Sequence, residues 1–84
     1  MSESKEEILV AVTQIFTEVT DVPAEKVQLD KTLRDDLDVD SLATAELGVA
    51  LQDRFDIELT DEQVIDLVTV ADVVAVIYDA QVAA

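Results

Sequence analysis

The chain has 84 residues, no Cys and no His, and a formal net charge of -15 from 20 acidic and 5 basic side chains. That length holds one modest core and leaves no room for a second lobe or a deep cleft, so a single domain over residues 1–84 is expected. The missing residue types exclude thiolate nucleophiles, disulfides, Cys/His zinc sites and any Ser-His-Asp triad.

Half of the residues are hydrophobic, which separates this composition from that of a disordered acidic tail. So acidic a surface repels nucleic acid and anionic lipid and draws basic protein patches or cations. "MSESKEEILV" has neither a basic start nor a long apolar segment, and no stretch approaches bilayer length. A cytoplasmic location without membrane insertion is therefore expected.

Ser4 and Glu7 have the spacing of a capping box, and Ile8, Val12, Ile15, Phe16 and Val19 follow at helical intervals. They predict an amphipathic helix over residues 4–19. From Thr20 to Asp40 the periodicity lapses, and Val27, Leu29, Leu33 and Leu37 are spaced among polar residues. This predicts a long loop pinned to the core by those four side chains, with one helical turn at "PAEKV". A second helix is expected from Ser41 to about Phe55, with Asp40 as its N-cap, ending before the β-prone "IELT". Thr60 and Asp61 are alternative caps for a short helix around "DEQVIDL". Thr69, three residues before Asp72, then introduces Val70, Val73, Val74 and Ile77 on a last helix reaching about Tyr78 or beyond. The expected fold is all-α, a small bundle of three main helices and one short one, with the long loop between helices one and two. "MSE" and "QVAA" read as termini that fray.

In "DDLDVDSL", Asp36, Asp38 and Asp40 alternate like the opening of a calcium loop. An EF-hand opening at Asp36 calls for Gly at the sixth position and a bidentate Glu at the twelfth, where this chain has Ser41 and Leu47. Apolar Leu37 and Val39 also separate the acids. An acidic loop with Asp40 capping a helix accounts for the same residues, and no dedicated metal site is expected.

At that helix start Ser41 holds its hydroxyl in the open near the positive end of the dipole, a favourable place for an attached phosphate. With no histidine to activate it, the serine is not an enzyme nucleophile on its own, so any chemistry on it comes from another enzyme. At about 100° per residue, Leu47, Leu51 and Phe55 share one helix face. Leu42, Ala45 and Val49 fall nearly opposite, beside Glu46 and Asp53. Two explanations stand: a central helix almost surrounded by its neighbours, or an exposed apolar strip edged with acid for a partner rimmed by Lys or Arg. The acidic neighbours favour the strip.

With "DLDVDSL", "ATAEL", "LQDRFDIELTDEQ" and "LVTVADVVAVI" in order along essentially the whole chain, the sequence resembles the acyl carrier proteins of bacterial fatty-acid or polyketide synthesis. The resemblance implies a non-catalytic discrete carrier with 4'-phosphopantetheine on Ser41, transferred from coenzyme A by a phosphopantetheinyl transferase, the holo-acyl carrier protein synthase. The arm's thiol would hold acyl intermediates for fatty acid synthase enzymes with basic docking patches, and the carrier would act as a monomer. Asp40 would precede the modified serine, with Asp36 in the same acidic approach. Leu42, Glu46, Val49 and Asp53 would match the helix that partners recognise, while Leu47, Leu51, Phe55, Leu59 and Leu67 would line a shelter for the acyl chain or simply form a packed core.

Four positions depart from the commonest family pattern: Val39, Ala43, Gly48 and Arg54. They bear on partner choice, and Gly48 is expected to weaken its helix by about 1 kcal/mol relative to Ala. A specialised polyketide or aminoacyl carrier is the alternative within the class. From outside it, an acidic interaction module or calcium sensor without a prosthetic group competes. The acyl chain, its length and the pathway are not written in the sequence.

Overall fold

The computed structural model describes residues 4–83. Ser4 Oγ accepts from Glu7 N at 3.2 Å and Glu7 Oε1 accepts from Ser4 N at 3.4 Å, which closes the capping box of α1, Lys5–Val19. Helix α2 is Ser41–Phe55, α3 is Asp61–Ile65 and α4 is Val70–Ala83, with one 3-10 turn at Ala24–Lys26 inside "PAEKV". The fold is all-α, as the periodicity predicts. Among the described residues β-pairing is confined to one isolated antiparallel bridge, Thr32 to Thr69.

The predicted apolar stripes form the core. Ile8, Val12, Ile15 and Phe16 of α1 are buried together with Ala11, and Val19 is half-buried at the helix end. Val70, Val73, Val74 and Ile77 of α4 are buried against them, as are Leu47, Leu51 and Phe55 of α2. Removing a side chain of this size from water contributes about 1.5–3 kcal/mol, so the three long helices are held by their shared interior rather than by propensity.

The long loop is tied to the start of α4 by backbone pairing. Val70 N donates to Lys31 O and Ala71 N to Leu29 O, each at 3.0 Å, and Leu33 N donates to Val68 O at 2.8 Å. The first N–H groups of a helix lack partners within it, so the loop carbonyls satisfy donors that α4 would otherwise leave free. Thr69 Oγ1 and the Asp72 carboxylate complete this helix start by accepting from each other's backbone N–H at 3.1 Å.

The β-prone "IELT" after α2 carries no regular secondary structure, and Leu59 N donates to Gln52 Oε1 at 2.9 Å. Two expectations are corrected here. Leu29 is 47% exposed, so its carbonyl and not its side chain joins the core, while Val22 and Val39 are buried beside Val27, Leu33 and Leu37. Residues 81–83 of "QVAA" continue α4, because no breaker interrupts it and Tyr78 packs near its end under the Lys5 ammonium, 5.1 Å from the ring centre. "MSE" lies outside the described residues.

Candidate functional site

The acidic stretch before α2 folds back on itself before the helix begins. Asp38 adopts φ 55°, a left-handed conformation that Asp tolerates better than most residues. The reversal buries Val39, whose N–H donates to Leu33 O at 2.7 Å. Val39 therefore acts as the loop's anchor, and a smaller side chain there would leave space under the turn. With Val39 held, Asp40 falls at the N-cap and its carboxylate accepts from Ala43 N at 2.8 Å.

Ser41 is the first residue of α2, and it is exposed. Ser41 borders a groove of about 360 Å³ whose polar lining includes Thr32, Arg34, Asp35 and Thr44 and whose apolar lining includes Ala45, Val64, Ile65, Leu67 and Val68. The Arg34 guanidinium donates a hydrogen bond to Ser41 Oγ. Arg34 is a functional candidate that the sequence reading passed over; a cation standing directly before the aspartates that lead to Ser41 was the available signal.

Of the three alternating aspartates, Asp40 is committed to its cap and Asp36 turns away to Thr32. The Asp36 carboxylate accepts from Thr32 N at 2.8 Å and from Thr32 Oγ1 at 3.2 Å. The backbone N–H of Thr32 foremost, then its hydroxyl and the nearby Lys31, hold the Asp36 carboxyl below its ordinary value near 3.8, against a partial desolvation that pushes it up. Among the described residues no group of three or more carboxylates converges as metal ligands would.

Along α2 the two predicted faces separate. Leu42, Glu46, Val49 and Asp53 follow at spacings of four, three and four and form one stripe. Leu42 is 70% and Val49 68% exposed, and Glu46 and Asp53 are exposed with them. Leu47, Leu51, Phe55 and Leu59 are buried instead, and of the five residues expected as acyl lining Leu67 alone borders the groove. Ala45, read from the sequence as part of the outer apolar strip of α2, borders the groove as well, whereas Val64, Ile65 and Val68 were not singled out, because the short α3 and the segment after it give too few turns for a periodic signal.

Gly48 explains how α3 comes so close. A Cβ at this position would lie 2.9 and 3.0 Å from the two methyl carbons of Val64. The missing side chain lets α3 settle against α2, which offsets the helix-propensity cost expected from the sequence. Of the other departures, Ala43 is half-buried against the core, and the Arg54 guanidinium lies 5.3 Å from the centre of the Phe55 ring.

An exposed serine hydroxyl at the start of a long helix, beside a guanidinium and above a partly apolar groove, suits an attached phosphate followed by a flexible chain. A family model described as "Phosphopantetheine attachment site" matches residues 10–77. The chain belongs to the acyl carrier protein family. It is 46% identical over 74 residues to the acyl carrier protein of Thermobifida fusca, covering 88% of this chain and 94% of the relative. The meromycolate extension acyl carrier protein of Mycolicibacterium aurum is 39% identical over 77 residues, 92% of this chain and 79% of that one. Among solved structures, the acyl carrier protein from Enterococcus faecalis superposes with a TM-score of 0.75 at 31% identity, covering 93% of this chain and 99% of the other. Acyl carrier proteins are carriers acted on by transferases and synthase enzymes and are not themselves enzymes. No helix among the described residues is long and apolar enough to cross a membrane.

Proposed function

We propose that Ser41 is the attachment point for 4'-phosphopantetheine and that the chain carries acyl intermediates between the enzymes of fatty acid biosynthesis in the cytoplasm. The observation that carries this reading is the placement of the Ser41 hydroxyl, exposed on the first residue of α2 at the mouth of the groove. When attached, the arm supplies the thiol that this Cys-free chain lacks, and acyl groups travel on it as thioesters.

The chain's own residues position and present. Asp40 fixes the start of α2 and so the direction of the Ser41 side chain. Leu42 and Val49, flanked by Glu46 and Asp53, form the face on which a transferase or synthase with a basic rim docks, and the exposed acids of the preceding loop, Asp36 among them, extend its field. Ala45, Val64, Ile65, Leu67 and Val68 give the carried chain an apolar wall. Leu47, Leu51, Phe55 and Leu59 are buried, so a carried chain would reach them only by displacing core packing.

The test is the intact mass of the chain after incubation with coenzyme A, magnesium and a phosphopantetheinyl transferase, beside Ser41→Ala. One added phosphopantetheine on the wild type and none on the variant, with the helical signal of both unchanged, is expected. Equal loading of the two would remove Ser41 from the assignment. A second reading, service in a specialised pathway, is favoured by the likeness to a meromycolate carrier; the acyl species recovered on the chain from cells separate it from general fatty-acid synthesis.

A further inference from the structure

Arg34 stands seven positions before Ser41 in a chain with 5 basic side chains against 20 acidic ones. It borders both openings that meet at the serine: the groove, and a shallower hollow of about 290 Å³ formed with Asp38, Val39 and Asp40. Among the described residues no other Lys or Arg lines either. A guanidinium pairs most strongly with carboxylates, and Asp35, Asp38 and Asp40 all stand in the same loop. Arg34 nevertheless directs a hydrogen bond to the neutral hydroxyl of Ser41.

We propose that Arg34 is a positioning residue for the group carried on Ser41, binding the phosphodiester and laying the arm along the α2–α3 groove. This inference rests on the attachment reading above. A hydroxyl uses one of the five N–H donors of a guanidinium, whereas a phosphodiester on the same oxygen offers two non-bridging oxygens that share a negative charge and match the planar fork. The surrounding carboxylates repel that charge. Without Arg34 they drive the phosphodiester outward and leave the arm in solvent; with it, the phosphate stays at the groove mouth and the chain beyond follows Thr44, Ala45, Val64 and Leu67. Arg34 thus sets the balance between an arm held against the protein and one presented to an enzyme.

The experiment compares the loaded wild type with loaded Arg34→Gln and Arg34→Lys, each shown by intact mass to carry one phosphopantetheine. The phosphorus resonance and the nuclear Overhauser contacts between the arm's methyl groups and Val64 and Leu67 report its position, and the alkylation rate of its thiol by a neutral reagent reports its exposure. In Arg34→Gln the contacts are expected to weaken, the phosphorus resonance to move toward that of a free phosphodiester, and alkylation to rise about two- to five-fold, the range for an exposed charge pair. Arg34→Lys keeps the charge without the fork and should fall between. Identical spectra and rates in the three loaded proteins would overturn the inference and leave the attachment reading standing. Loading lost in both Arg34 variants would overturn it too, by assigning the residue to recognition by the transferase. A wild type that takes no arm while a control carrier is loaded would remove both readings.

Discussion

Helices α1 and α3 are both opened by complete capping boxes, yet they play opposite parts. α1 buries Ile8, Ala11, Val12, Ile15 and Phe16, while α3 has no buried residue and leaves Ile65 76% exposed. Length decides much of this. Fifteen residues present four turns to a common interior, and five present little more than one. The bundle is therefore a packed frame of α1, α4, the pinned loop and one face of α2, with the short α3 laid against α2 as a thin wall. Ser41 sits where the frame meets the wall, at the mouth of the groove between them.

The largest test of that contrast is a pair of truncations. Phe16→Ala removes a fully buried side chain and should destabilise the chain by about 3–5 kcal/mol in denaturant unfolding, whereas Ile65→Ala should change stability by less than about 0.5 kcal/mol. Comparable losses for both would show that α3 belongs to the frame. A smaller effect probes the seam itself. Gly48→Ala should cost about 1 kcal/mol, because crowding against Val64 outweighs the gain in helix propensity. In a Val64→Ala background the same substitution should become neutral or stabilising. A double-mutant cycle with no coupling between the two sites would contradict the close α2–α3 contact.

The smallest effect concerns the loop on the frame side. The Asp36 carboxyl is held below its ordinary value near 3.8 chiefly by Thr32 N–H. A depressed carboxyl contributes stability that is present above its unfolded value and lost as pH falls through its folded one. The wild type should therefore lose stability relative to Asp36→Asn as pH drops below about 4, on top of a constant offset from removing one negative charge. A stability difference that stays flat across that range would place the carboxylate in solvent, away from Thr32.

The legibility of this chain follows the same division. The stripes of α1 and α4 were readable because each long helix repeats its apolar signal against one core, and Asp40 with Ser41 announced the start of α2 by local chemistry alone. The groove was not readable, because it is assembled from the loop, α2, α3 and the segment before α4, none of which carries its pattern alone. Gly48 looked like a cost until Val64 was placed beside it. Leu29 looked like an anchor because hydropathy cannot distinguish a side chain that buries itself from a carbonyl that pairs with Ala71.

The most direct test of the central claim is fragment mass analysis of the loaded chain, which locates the added group. The sequence has three serines, Ser2, Ser4 and Ser41, and the Ser4 hydroxyl is engaged in the cap of α1. Phosphopantetheine on the fragment containing Ser41, and on no other, is the result predicted. The group on Ser2 or Ser4, or spread among the three, would contradict the assignment of the groove mouth as the carrier site.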